Sequence, residues 1–370
     1  MPDLIDTQPA LENAIARLRD ASAIALDTET DAFFAYRPRI CLLQFSLPGT
    51  DLLVDPLADL DLAPLGEVLA DPAHEVVLHA AENDIILLHH QFRWRIADLY
   101  DTQVACFVLG LKPYSLAGVL SARFGVELDK RQQRSDWSRR PLNAQQIAYA
   151  AEDTHYLLKL AADLKRKAAE AGRTEEIGAE CSRIAAREWT PEPFDEEGFR
   201  RIPGARGLDG APLRILRDLY LLRAREAERR NRAPYRVCPD AALVRLATER
   251  RLPPKGVPVS FWRRCEREIR EAIAAAPGAG PLPPRRQRRS APGDKMSTRA
   301  KQLYEGLRKW RTAAAEARGV ESFVVARNEL LERIARAGCT TLEELGEFVE
   351  PFRLREYGDA ILAAMLDSAS

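Results

Sequence analysis

The chain has 370 residues, 46% of them hydrophobic, and its 55 basic and 55 acidic side chains cancel to zero net charge. That length exceeds one ordinary core and points to two or three domains. No apolar run approaches the ~20 residues of a membrane span, and the N-terminal stretch lacks the basic segment and apolar core of a secretory signal, so a cytoplasmic protein is expected. Six cysteines (Cys41, Cys106, Cys181, Cys238, Cys265, Cys339) show neither CxxC nor paired spacing, which argues against a disulfide framework or a zinc site.

From Ala21 to Asp55 the runs AIAL, RICLLQFSL and DLLVD follow one another with Pro38, Pro48 and Gly49 between them, the pattern of an antiparallel meander. LAPLGEVLA reads as helical, and EVVLHA as a fourth strand leading to His79. A helix over Asn83–Phe92, an extended stretch near Ile96–Tyr100, and helices over Thr102–Leu109 and Ser115–Phe124 come next. A basic segment, Lys130–Arg140, carries Trp137 and precedes Pro141; one long helix is expected from Asn143 to Lys167. Strands in a meander followed by strand–helix alternation describe a mixed sheet flanked by helices. Beyond the Pro-containing boundary at Trp189–Phe194 the chain reads as helical throughout, apart from a Pro/Gly/Arg linker from Pro277 to Gly293 whose PPRRQRRS core could touch phosphates. Charge is unevenly divided: residues 1–190 hold 20 basic and 29 acidic side chains, and residues 191–370 hold 35 and 26. An acidic front half suits metal binding, and a basic back half suits a polyanion.

Chemistry concentrates in three short segments: AIALDTET, HAAENDIILL and AYAAEDTHYL. Asp27 and Glu29 stand two apart on an expected strand and so share a face. Tyr149 and Asp153 stand four apart on an expected helix and share a face likewise. With Asp84, these acids sit on apolar elements that hold no matching Lys or Arg, so a divalent cation is the expected partner.

Those segments, in order and in spacing, resemble the three exonuclease motifs of the ribonuclease D family, in the tyrosine-bearing branch of the DEDD 3′→5′ exonucleases. Ser135 to Leu157, SDWSRRPLNAQQIAYAAEDTHYL, is especially similar, and the segments beginning at Leu213 and Lys301 resemble the helicase-and-ribonuclease-D C-terminal (HRDC) module. The resemblance implies a ribonuclease-H-like α/β mixed-sheet exonuclease domain (1–190), then two all-α helical-bundle domains (208–277 and 298–370) separated by a flexible linker (278–297). It implies an exoribonuclease using two divalent ions, Mg2+ or Mn2+, on RNA with a single-stranded 3′ end, chiefly tRNA precursors, with release of nucleoside 5′-monophosphates. A DNA exonuclease of the same superfamily and a non-catalytic RNA-binding adaptor are the alternatives. Asp27, Glu29, Asp84, Tyr149 and Asp153 are the implied catalytic set, the four acids as metal ligands and Tyr149 holding the attacking water.

Substrate contacts are expected from Thr28, Thr30, Gln44, His79, Arg134, Arg139 and Arg140. Gln44, inside an apolar strand, needs either a substrate ribose or a structural partner. Phe33, Phe34 and Tyr36 could stack on bases or pack beneath the meander, and Trp137 could line the RNA path or anchor its loop. Ala80, where the family often has Asn, and Thr154-His155 depart from the pattern without removing an acid.

Overall fold

The computed structural model describes residues 3–191, 193–250, 252, 256–278, 280, 282–283 and 296–369. Six strands, β1 (Asp3–Ile5), β2 (Ala23–Thr30), β3 (Ile40–Leu47), β4 (Thr50–Val54), β5 (Glu75–Leu78) and β6 (Asp98–Asp101), form one sheet in the order β1-β4-β3-β2-β5-β6. The β2–β3–β4 meander is antiparallel, as its turn residues predict, whereas β5 and β6 join in parallel through helical crossovers. The parallel partner of β4, β1, is three residues long. That is too short to carry a readable alternation.

Helices α1 (Gln8–Arg19), α2 (Ala63–Ala70), α3 (Glu82–Phe92), α4 (Thr102–Val108), α5 (Leu116–Phe124), α6 (Ala144–His155), α7 (Leu157–Glu170) and α8 (Thr174–Ala185) complete this part. The single helix expected over Asn143–Lys167 is two, meeting at Tyr156. The break follows the sheet: α6 packs across β2, β3 and β4, while α7 packs on β2 and β5. Asn143 caps α6 through a reciprocal pair with Gln146, which satisfies amides that would otherwise be orphaned.

Two further apolar cores lie in the C-terminal half. One gathers buried residues between Phe199 and Ala276 from α9 (Gly210–Arg229), α10 (Pro234–Val237), α11 (Asp240–Glu249) and α12 (Val259–Ala275). The other gathers residues between Leu303 and Met365 from α13 (Thr298–Arg318), α14 (Ser322–Val325), α15 (Asn328–Ala337), α16 (Leu342–Gly346) and α17 (Pro351–Ala369). The linker expected over 278–297, with its PPRRQRRS segment, lies largely outside the described residues. All six cysteines are buried and unbridged. Among the described residues no helix is long and apolar enough to cross a membrane.

Both helical modules dock on the sheet domain, the second of them chiefly through charge. Arg318 donates to both carboxylate oxygens of Glu176 at 2.9 and 2.7 Å and to the Val108 carbonyl at 2.8 Å. Arg327 reaches Glu180, Arg355 reaches Glu175, and Arg173 answers in reverse to Glu356. Three glutamates of α8 thus meet arginines of the second module, while Val324 joins the apolar core of the sheet domain. Burial makes the Arg318–Glu176 pair matter most, since their side chains are only 11% and 3% exposed. Removing one partner of such a pair strands a buried charge and costs about 3–5 kcal/mol. Glu176→Ala is therefore expected to lower the unfolding temperature and speed amide exchange in α8 and α17. Unchanged exchange in both helices would show that apolar packing alone holds the second module.

Candidate active site

The site is built where three elements end. On β2, Asp27 pairs across the ladder with Gln44, and Glu29 with Leu42. Directly opposed residues share a face, so both acids project with Gln44 toward the side on which α6 lies. Asp84 sits in the first turn of α3, where free amides and the helix dipole favour a carboxylate. The Thr28 hydroxyl donates to it at 2.5 Å. On α6, the Tyr149 hydroxyl donates to Asp153.

These groups sense one another strongly. Burial, then the charges of Asp84 and Asp153, push Asp27 well above the ordinary carboxylate range. Burial, then Asp27, Asp153 and Asp84, raise Glu29 to about 10. Burial raises Asp84 to about 6 against the hydrogen bond from Thr28, and raises Asp153 to about 7 against the one from Tyr149. Tyr149 is itself raised, by burial and then by Asp153, so it is a neutral phenol throughout the physiological range. Hydrogen bonding opposes the upward shifts of Asp27, Asp84 and Asp153, and nothing opposes that of Glu29; among the described residues no cationic side chain does so.

This donor set suits a hard divalent ion: all oxygen, multiply acidic and free of His or Cys. The carboxylates face a common site without closing on it, since among the described residues no three Asp, Glu, His or Cys side chains stand together at ligating spacing. Their electrostatic coupling carries the fit. Gln44 adds to it, being fully buried opposite Asp27 with neither amide atom hydrogen-bonded to protein.

The remaining expected contacts divide. Arg140 is occupied within the protein, its guanidinium donating to both oxygens of Asp55 and to the carbonyls of Cys41, Trp137 and Arg139. His79 is likewise occupied, one ring nitrogen on Thr102 and the other on the Tyr114 carbonyl, and burial lowers its pKa. Thr28 uses its hydroxyl on Asp84, and Thr30 accepts from the Ala32 amide at 3.5 Å. Trp137 is an anchor, 1% exposed among Cys41, Leu42, Leu53 and Leu142, with its ring centroid 6.0 Å from that of Tyr149. Tyr36 packs against the core of the first module; Phe33 is 45% exposed. Arg134 lies over Phe33, and Arg139 is exposed.

One residue escaped the sequence reading. Asp101, 1% exposed at the end of β6, accepts from four backbone amides: Ala80 (3.0 Å), Ala81 (2.8 Å), Gln103 (2.8 Å) and Val104 (3.3 Å). It thereby caps α4 and pins the turn from β5 into α3, where Ala80 adopts a left-handed φ of 64°. That turn aims Asp84. The strand-to-helix Asp-Thr at 101–102 signalled the cap, but nothing in the sequence announced the second pair of amides.

Comparison with known proteins agrees with this architecture. Residues 2–169 match a family model described as 3′-5′ exonuclease, and residues 213–253 and 300–365 match the HRDC domain. Ribonuclease D of Gluconacetobacter diazotrophicus is 32% identical over 373 residues, spanning 98% of this chain and 92% of its own. Among solved structures, the catalytic core of RRP6 from Trypanosoma brucei superposes with a TM-score of 0.70 at 26% identity, covering 74% of this chain and 79% of that one. Escherichia coli RNase D shares the fold over 99% of both chains, with a TM-score of 0.65 at 24% identity. Fold and matched domains define a mixed-sheet 3′→5′ exonuclease carrying two HRDC modules. The chain belongs to the ribonuclease D family of 3′→5′ exoribonucleases.

The raised carboxylates link stability to pH. Asp84 and Asp153 keep protons in the fold that the unfolded chain releases near pH 4, so stability falls as pH climbs through about 6 and 7. In EDTA, the unfolding temperature is expected to drop between pH 5 and pH 8, with Mg2+ or Mn2+ restoring it at pH 8. Asp153→Asn deletes one of the repelling charges, so in EDTA at pH 8 it should melt several degrees above the parent. Identical melting of the two proteins would mean that the acids do not repel as described. Asp101→Ala removes an acceptor shared by four amides and should cost on the order of 3 kcal/mol in denaturant titrations.

Proposed function

We propose that this protein trims the 3′ tails of structured RNAs, chiefly tRNA precursors, releasing nucleoside 5′-monophosphates with the help of two divalent ions. The observation that carries the reading is the convergence of Asp27, Glu29, Asp84 and Asp153 with a neutral Tyr149 and no compensating cation. Asp27, Glu29, Asp84 and Asp153 would hold these ions. When bound, such ions supply positive charge at the scissile phosphate and at the attacking water.

The chain's own groups do the rest. Tyr149 is too weak a base to take a proton near neutrality. Its hydroxyl, kept neutral beside Asp153, would hold the attacking water and fix its line of attack. Thr28 holds Asp84 in place, Asp101 holds the turn beneath it, and Trp137 supports the face of α6 that presents Tyr149. Water's oxygen joins the phosphate, the bond to the 3′ oxygen breaks, and that oxygen leaves protonated on the shortened chain. Arg134 and Arg139, on the segment leading into α6, form a lip for the incoming strand. Six buried free thiols suit a reducing, cytoplasmic setting.

The test is a 3′-extended tRNA and a matched DNA oligomer, each with Mg2+, Mn2+ or EDTA. Stepwise shortening of the RNA is expected, abolished in EDTA and in Asp27→Ala. Tyr149→Phe should lower kcat by about 10²-fold while metal binding is retained, since it misplaces the nucleophile without removing a ligand. Equal trimming of DNA would widen the reading to a general exonuclease, and near-parental turnover by Tyr149→Phe would remove its assigned role.

A further inference from the structure

A groove of about 560 Å³ runs between the sheet domain and the first helical module. The loop at 31–39, which follows directly on β2, forms one side. The segment before α6 forms another, and the junction of α9 with α10 forms the third. Two of these walls are therefore continuous with the elements that carry Asp27, Glu29, Tyr149 and Asp153. The module is held in place by backbone as well as side chains. Ala233 donates its amide to the Phe34 carbonyl at 2.8 Å, Tyr235 and Arg236 donate to the Phe33 carbonyl, and Arg37 pairs with Glu228 at 2.6 Å.

Five arginines line the groove: Arg39, Arg139, Arg230, Arg232 and Arg236. Its two acids are already engaged, Asp31 by the Arg39 amide and guanidinium and Asp136 by Ser138. Arg139 and Arg232 are exposed, and among the described residues neither guanidinium has a hydrogen-bond or ion-pair partner. Arg230 has only Glu226, at 3.8 Å, and its Nη1 is buried without a hydrogen-bond acceptor. The contrast with the second module is informative, because there Arg318, Arg327, Arg353 and Arg355 all meet glutamates of α8. Beside the groove, the exposed Phe33 ring lies under Arg134, and the Arg236 guanidinium stacks on Phe34 at 3.8 Å.

We infer that this interdomain groove binds the sugar–phosphate backbone of single-stranded RNA just upstream of the nucleotide being removed. The inference rests on the proposed RNA-trimming reading and locates where the tail is gripped. Unpaired arginines supply sequence-independent attraction for successive phosphates. An exposed phenyl ring beside them offers a face on which an unpaired base can stack, which selects single strand over duplex.

The experiment compares the full chain with Arg232→Gln, with Arg230→Gln/Arg232→Gln, and with the charge-conserving Arg232→Lys. The probes are a dinucleotide and a twelve-nucleotide single-stranded RNA, with KM, kcat and the salt dependence of RNA affinity as readouts. The expected result is a several-fold rise in KM for the twelve-mer alone, with kcat and dinucleotide turnover retained. The double variant should also flatten the slope of log affinity against log salt by about 1.4, because each phosphate deprived of its arginine lowers that slope by about 0.7. Arg232→Lys should recover most of the affinity. Unchanged KM and slope in a parent that trims RNA would overturn the groove while leaving the proposed function standing. A parent that trims no RNA, with RNA affinity still weakened in the double variant, would support the groove and overturn the proposed function. Binding of an acidic peptide that survives excess RNA and disappears in the double variant would make this a protein-docking surface and overturn the inference.

Discussion

Four half-buried carboxylates held near one another without a cationic side chain are the constraint around which the sheet domain is arranged. Like charges in a poorly solvated site oppose each other's ionisation. Three of the four come with a stabiliser of their own, and Glu29, which has none, is raised to about 10. Asp84 stands on a helix N-terminus and accepts from Thr28; Asp153 accepts from Tyr149; Asp27 accepts a backbone hydrogen bond. Each stabiliser depends on an element end being well fixed, which explains the investment in caps. Asn143 and Gln146 fix the start of α6, and Asp101 fixes two element starts at once. The repulsion that remains is what a divalent ion would relieve.

The zero net charge is likewise a balance between parts with opposite tasks. Part of the acidic excess of the front half lies on α8, and part of the basic excess of the back half lies opposite it. Much of the asymmetry read from the sequence is thus consumed inside the molecule, holding the second module against the sheet domain. Such pairs fix geometry more than they add net stability. Among the described residues, arginines left without an acidic partner include Arg139 and Arg232, which line the groove between the sheet domain and the first module.

Legibility in the sequence followed the reach of each interaction. Asp27 with Glu29 and Tyr149 with Asp153 were readable because strand and helix periods place residues two and four apart on one face. The meander was readable because Pro38, Pro48 and Gly49 punctuate apolar runs. The engagement of Arg140 with Asp55 was not readable, because that partner lies 85 residues away and a basic side chain in a basic segment looks free until it is seen. The partners of the His79 ring, Thr102 and the Tyr114 carbonyl, were hidden for the same reason. The break at Tyr156 was hidden because α6 and α7 are each amphipathic, and only the shape of the sheet decides that they must diverge. Asp101 shows the limit most plainly: half of its role is local and visible, and half reaches across the sheet to another strand's turn.

A nuclease of this design faces a conflict that the domain arrangement resolves. The centre is strongly acidic, as a site for divalent ions would have to be, yet RNA is a polyanion, and at an effective dielectric near 20 charges a few ångströms apart still interact by several kcal/mol. Arginines placed among the carboxylates would neutralise the ligands instead of attracting RNA; the fate of Arg140, locked onto Asp55, illustrates how readily such a pair forms. Attraction therefore has to come from outside the acidic cluster but close enough to deliver a strand into it. The loop following β2 provides that connection, joining the strand that holds Asp27 and Glu29 to the arginine-bearing edge of the first module through hydrogen bonds that the Ala233 amide and the Arg236 guanidinium donate to its main-chain carbonyls. Because carbonyls of the loop itself accept those bonds, the separation between the acidic centre and the basic groove is fixed by backbone. The first helical module is, in this sense, part of the active site's electrostatics and not only a handle attached to it.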